Sequence, residues 1–461
     1  MKIKRLAFGL LILSMLACNY VTQLILPATA TPIPTLTATP AASPTSTSEP
    51  LKPAFIPPGC EATPLATIAP EVAAGIPSTQ SGIVQISQGE QMRILREINR
   101  IVTEVYVYPD FNGKDWNEIE TRYKDRVQSG LDTETFYMDM RSMINELGDE
   151  HSTFISPAEV EEAEAELSGD VEFVGVGIYG QPDYERNRLI VISTFPDSPA
   201  DYAGIREHDS ILLVDGLPIQ QETGIRLRGP GCSAVVLDVQ SPGEAPRDVM
   251  LLRSPIQGNL PIDARLVFTN DGSKIGYIFI PTFFDETIPL QIEKALKDFG
   301  QLDGLILDLR LNGGGSSTVT YPILAYFVSG RLGEFVSRSD TRSLTIEPNP
   351  IQNSQTVPLI VMVSEDTVSF GEIFAGVLKD SGRAKIVGQT SLGNVEVLRG
   401  YDFEDGSQLW IESETFYSAF SSANWEETGI IPDVQAFAKW DTFNFDTDPS
   451  IAAAVQLLGH H

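Results

Sequence analysis

Cysteine, histidine and basic side chains are scarce in this chain of 461 residues: three Cys, four His, and 32 Lys plus Arg against 62 Asp plus Glu. The formal charge of −30 repels phosphate backbones and anionic headgroups, so nucleic acid is not an expected partner. Beyond the N-terminal segment no apolar run is long enough for a transmembrane helix. No metal ion or cofactor is expected.

The N-terminus carries what the rest lacks. Lys2, Lys4 and Arg5 precede an apolar run from Leu6 to Leu16, and Ala17-Cys18 follows, the order of an export signal. It resembles a bacterial lipoprotein signal, which implies lipid attachment at Cys18 and an extracytoplasmic protein anchored to a bacterial cell membrane. Ordinary signal cleavage and an uncleaved anchor stay open. With Cys18 lipidated, Cys60 and Cys232 remain; an exported location permits their pairing, and the sequence leaves disulfide and free thiols equally open.

Composition divides the chain into an export segment (1–18), a Pro/Thr/Ser-rich stalk without apolar side chains to bury (19–87), a helical unit (88–168), a strand-rich unit (169–256), an alternating strand and helix core (257–440) and a C-terminal tail (441–461). The fold class is α/β within a multidomain α+β chain, with a mixed sheet in the core. In the strand-rich unit, Gly175-x-Gly177-x-x-Gly180 formally matches a dinucleotide fingerprint. That motif needs a helix opening at the glycines, and Gln181-Pro182-Asp183 turns instead into another strand.

The stretch "PLIVMVSEDTVSFGEI" (358–373) reads in two ways. Ser-x-x-Glu at 369–372 is a capping box ahead of an amphipathic helix with Phe370, Ile373, Phe374, Val377 and Leu378 on its face. Strand, hydroxyl, helix is also how hydrolases present a nucleophile, since the helix N-terminus favours developing negative charge. "LDLRLNGGG" (307–315) ends a neighbouring strand in glycines whose bare amides can approach a substrate oxygen, as an oxyanion hole requires.

Taken together, "LGDEHSTFISP" (147–157), "LDLRLNGGG", "TVSFGEIFAGVLKD" (367–380), "IVGQTSLGN" (386–394) and "ETGIIPD" (427–433) resemble the C-terminal processing, or tail-specific, serine peptidase family and its tricorn and retinoid-binding-protein relatives. Residues 169–256 resemble a PDZ domain, through the turn Gly175-Val176-Gly177-Ile178, "SPADYAGI" (198–205) and "DSILLVDG" (209–216). A PDZ groove adds a peptide as an extra strand and takes its terminal carboxylate on backbone amides. The resemblance implies that Ser369 attacks, and that the amides of Phe370 and of Gly314 or Gly315 hold the oxyanion.

It also implies a departure. Tail-specific members place a catalytic lysine 25 residues after the serine, where this chain has Asn394, and a carboxamide cannot accept a proton at neutral pH. The tricorn-like branch uses a histidine near the start of the fold and a glutamate before Gly-x-x-Pro-Asp. His151 and Glu426 or Glu427 match those positions; His208 falls in the PDZ segment, and His460 and His461 end the chain. Asp149 is an alternative carboxylate. The implied function is exported endopeptidase action on unstructured proteins or peptides with free C-termini. The competing readings are an inactive PDZ-containing binder and a small-ligand carrier.

Overall fold

A computed structural model describes residues 51–60, 85–149, 151–160, 173–220, 226–256 and 259–459. The export segment and Cys18 lie outside them. No helix among the described residues is long and apolar enough to cross a membrane.

The central sheet has six strands in the order Asp263–Phe268, Lys274–Phe279, Gly304–Asp308, Leu359–Val363, Lys385–Gly388 and Val434–Gln435. The first pair is antiparallel and the rest are parallel. Because side chains alternate across a strand, Leu305 and Leu307 join one core with the helices Ile288–Phe299, Ser317–Phe327 and Phe370–Asp380. Ile306 joins another, with Trp440, Phe443, Ile451 and Ala454. Both faces are covered, which is why these strands read as unbroken apolar runs.

That second face corrects the expected C-terminal tail. Residues 449–457 form a helix capped by Asp448, whose carboxylate accepts Ser450 N–H at 2.8 Å. Asp448 and Asp308 both hold the buried Arg310 guanidinium, each at 2.6 Å from Nη2. Ile451 and Ala454 supply the apolar contact that a free tail would lack.

The helices Gln88–Val105, Trp116–Ser129 and Thr133–Asn145 start at Ser87, Asp115 and Asp132, each accepting a hydrogen bond from a first-turn amide. Their apolar faces close on Leu409 and Ile411 of the long strand Gln408–Ser418. The helical unit therefore shares its core with the 257–440 part of the chain. The short strand Thr153–Ile155 pairs with Gln408–Trp410, which delivers His151 and Ser152 to the sheet.

The strands Ile178–Asp183, Arg188–Thr194, Ser210–Val214, Ala234–Gln240 and Arg247–Leu252 build an antiparallel sheet around Val191, Ile211, Val235 and Leu237. Its Ile190 and Ile192 pack into the cluster containing Trp440 and Met362. Gln181 Nε2 donates to Asp366 Oδ1 at 2.7 Å. The expected stalk is corrected over ten of its residues: Cys60 forms a disulfide with Cys232, and Phe55 stacks on Tyr202 with ring centroids 4.1 Å apart. The rest of the stalk, up to residue 84, lies outside the described residues.

Candidate active site

Two adjacent parallel strands, Gly304–Asp308 and Leu359–Val363, end side by side, and the turns beyond them are tied together. Thr367 Oγ1 donates to Leu309 O at 2.8 Å, Val368 N–H to Asn312 O at 3.0 Å, and the Ser364 hydroxyl to Arg310 O. These bonds pin Ser369 at the N-terminus of the helix Phe370–Asp380, with φ 56° and ψ −124°. A non-glycine residue at positive φ is strained, and such strain is retained where surrounding contacts impose it.

The glycine turn comes in close. At Gly314, with φ +91°, a Cβ would stand 2.8 Å from Ser369 Cβ and 3.2 Å from Phe370 N, so no larger residue fits there. The expectation for the oxyanion donors narrows here. Gly314 N–H donates to Asn312 Oδ1 at 2.9 Å, while Asn312 Nδ2 donates to Ile280 O at 3.0 Å. Among the described residues the amides of Gly315 and Phe370 are not spent in this way.

Glu372 does more than cap. The pair is arranged as a capping box, with the carboxylate accepting Ser369 N–H at 3.2 Å. The same fully buried carboxylate accepts Ser391 Oγ–H at 2.6 Å, Gly393 N–H at 2.7 Å and Asn394 N–H at 2.8 Å. Burial pushes its pKa up to about 7, against the four donors that pull it down. In the sequence Glu372 has only the signature of a local cap; the clamp it forms between the helix and the 391–394 loop has no local signal.

Asn394 sits between the two expected catalytic residues. Its carbonyl accepts Ser369 N–H at 2.9 Å, and its side-chain Nδ2 meets His151 Nε2. His151 is 4 % exposed, and burial holds its pKa down at about 4. Its backbone is set by Asp149, whose Oδ1 accepts His151 N–H at 3.1 Å and Ser152 N–H at 2.6 Å. Ser152 Oγ in turn accepts Glu412 N–H at 3.1 Å.

The carboxylate assignment is brought close without being joined to the ring. Glu426 Oε2 accepts Val395 N–H at 2.7 Å, one residue beyond Asn394. Burial, then a hydrogen bond with Glu396 and the charge of that carboxylate, pushes the Glu426 pKa well up. Glu427 is exposed. His208 stacks on Trp440 and bonds its carbonyl through Nδ1 at 2.8 Å, a packing role. Lys379 and Lys385 direct their ammonium groups to Ile431 O and Asp433.

In the turn expected to take a carboxylate, Gly175 pairs with Ser254 and Val176 is buried. A Cβ at Gly177 would lie 2.1 Å from Ser198 Cβ. The turn's carbonyls are used internally: Val176 O accepts Ala200 N–H and Gly177 O accepts Phe195 N–H, both at 2.9 Å. Ile178 opens the first strand of the antiparallel sheet, Ile178–Asp183, which pairs with Arg188–Thr194.

Residues 274–436 match the family described as Peptidase family S41, and residues 88–145 match the Tricorn protease C1 domain. The chain is 27 % identical over 380 residues to a carboxyl-terminal-processing protease of Synechocystis sp., covering 80 % of this chain and 87 % of that one. It is 30 % identical to the chloroplastic carboxyl-terminal-processing peptidase 2 of Arabidopsis thaliana, covering 75 % and 68 %. Among solved structures it is similar to a photosystem II D1 C-terminal processing protease, with a TM-score of 0.55, 25 % identity, and coverage of 75 % and 92 %.

Proposed function

Because the chain belongs to the S41 peptidase family, the serine-type peptidases that include the carboxyl-terminal processing proteases, we propose that it is an exported endopeptidase acting on unstructured protein or peptide substrates through Ser369, His151 and Glu426. One observation carries the reading: Asn394 bonds Ser369 through its carbonyl and His151 through its side chain. A serine at strained positive φ and a buried neutral imidazole are thus held on either side of one residue.

In the proposed reaction Ser369 Oγ bonds to the scissile carbonyl carbon as its proton passes to His151 Nε2, after Asn394 Nδ2 has released that nitrogen. The amides of Phe370 and Gly315 receive the negative oxygen. The intermediate collapses, the C–N bond breaks, and the amine leaves with the proton from His151. Water then hydrolyses the acyl-enzyme by the same route. Glu426, already at Val395 N–H, is the group proposed to stabilise the imidazolium, which requires it to give up the proton that burial and Glu396 hold on it.

We further propose that the antiparallel unit works as a PDZ domain, with Gly175, Val176, Gly177 and Ile178 taking substrate C-termini, and that Cys18 carries the lipid anchor. Among the described strands Ile178–Asp183 stands at the end of its sheet, directly after the 175–178 turn, which supports peptide addition there. The tether at Cys60 supports an oxidising, extracytoplasmic location.

A second reading, a PDZ-containing binder without turnover, draws on a single fact: His151 Nε2 is engaged by Asn394. Purified protein incubated with a denatured protein decides between them. Cleavage that disappears in both Ser369→Ala and His151→Ala supports the peptidase. Binding without cleavage supports the binder, and equal cleavage by Ser369→Ala would remove Ser369 as nucleophile.

A further inference from the structure

The first helix of the helical unit ends at Tyr106, and from there a ring of hydrogen bonds closes around the backbone that carries His151. Tyr106 N–H donates to Val102 O at 3.1 Å, which fixes the residue as the C-terminal cap of the helix Gln88–Val105. The next amide, Val107 N–H, donates to Glu412 O at 3.0 Å. Glu412 N–H donates to Ser152 Oγ at 3.1 Å. Ser152 N–H donates to Asp149 Oδ1 at 2.6 Å, where His151 N–H also arrives at 3.1 Å. A hydrogen bond between the Tyr106 hydroxyl and the Asp149 carboxylate completes the ring.

The hydroxyl is not explained by packing. Tyr106 is fully buried, its ring stacked on Phe111 with centroids 6.5 Å apart, in the core that also holds Ile98, Phe136 and Ile411. Phenylalanine would fill that space without bringing an oxygen that needs a partner. Neither this hydroxyl nor the buried Asp149 Oδ2 has another hydrogen-bond partner among the described residues. Burial raises the Asp149 pKa, and the Tyr106 hydroxyl is among the donors that oppose it. A charged acceptor holds the His151 and Ser152 amides more tightly than a neutral one, and a closed polar network is rigid.

We propose that Tyr106 is a positioning residue for His151, acting through Asp149, and that the N-terminal helical unit is thereby part of the peptidase's working site. The proposal rests on the reading of His151 as the base. In turnover His151 Nε2 exchanges Asn394 for Ser369, and a misplacement of about 1 Å at such a step costs about 100-fold in rate. The strand Thr153–Ile155, paired with Gln408–Trp410, holds the chain beyond His151. Asp149, steadied by Tyr106, holds it before.

The test compares the wild-type protein with Tyr106→Phe, which keeps the ring and removes one oxygen. With four His in the chain, ¹⁵N-histidine labelling isolates the His151 amide, and His208 N–H, bonded to Val191 O at 3.1 Å, is the internal control. Amide exchange at His151 should quicken by about tenfold in Tyr106→Phe while His208 is unchanged. On a denatured substrate kcat should fall about tenfold, with KM within about twofold of wild type. In an Asp149→Ala background Tyr106→Phe should change neither quantity further, because the link is already cut. Unchanged exchange at His151, a raised KM with kcat preserved, or an added loss from Tyr106→Phe in the Asp149→Ala background overturns the proposal. Wild-type turnover by His151→Ala removes the base on which the proposal rests. That failure is distinct from failure of the Tyr106 link, since the exchange measurement does not depend on turnover.

Discussion

Asn394 Nδ2 meets His151 Nε2 across 243 residues of sequence. Nε2 must therefore be acting as the acceptor, so the proton of this neutral ring is on Nδ1. That is the tautomer a general base needs, held by a neutral amide rather than by the serine. Exchanging one partner for the other is the step that separates this arrangement from an active one.

Asn394→Ala follows directly. It leaves the backbone carbonyl that accepts Ser369 N–H and removes only the competitor for Nε2. Loss of a hydrogen bond of about 1 kcal/mol in the resting state corresponds to a roughly fivefold gain in kcat/KM. A fall of tenfold or more on a denatured substrate would mean that Asn394 positions His151 rather than restrains it.

Glu372→Gln tests the clamp. Three amides and a hydroxyl donate to this carboxylate, and a carboxamide turns its own N–H groups toward some of them. The expected cost is about 2–4 kcal/mol of stability. Displacement of Ser369 and of the 391–394 loop should lower kcat/KM by about 100-fold. Urea unfolding and single-substrate kinetics measure the two effects, and wild-type values in both would remove the clamp.

What the sequence disclosed and what it withheld divide by range. The strand, the serine turn and the helix of 358–380 are local, so period and capping residues expose them. The glycines at 313–315 announce a close approach, and Gly314 against Ser369 Cβ is one. Asn312 takes the Gly314 amide two residues on, a local Asx bond, but the side chain is oriented for it by donating to Ile280 O, 32 positions away. Glu372 looked like a cap because its other donors lie 19 to 22 positions away. The 441–461 segment looked like a tail because its anchor, Asp448 on Arg310, spans 138 residues. In each case a polar side chain of ordinary local meaning acquires its role from a distant partner.

Asp448→Ala tests whether that C-terminal helix is structural. Arg310 is buried and keeps Asp308 after the change, so the loss should fall below that of an entirely unpaired charge, at about 2–3 kcal/mol. Denaturant unfolding followed by tryptophan fluorescence reports it, since Trp440 lies under the Arg310 guanidinium at 5.1 Å. A change under half a kcal/mol would show that residues 449–457 contribute little to the core.

The burial of His151 gives a pH dependence with a fixed sign. Its folded pKa, about 4, lies below the unfolded value near 6.5, so the unfolded chain takes up a proton first as pH falls. Its contribution is fully present above about pH 6.5 and is lost progressively down to about pH 4. Other buried groups, Glu372 and His208 among them, titrate in the same range, so the comparison is with His151→Asn rather than with the wild-type protein alone. Between pH 7.5 and 4.5 the wild-type protein should lose roughly 2–3 kcal/mol more stability than the variant. In the active enzyme the same burial keeps the base neutral, so kcat/KM should hold level from pH 7.5 to 5 where an exposed histidine would already be protonated. An acid limb centred near pH 6.5 in the rate, together with parallel stability curves for the two proteins, would show that His151 is solvated in the working enzyme.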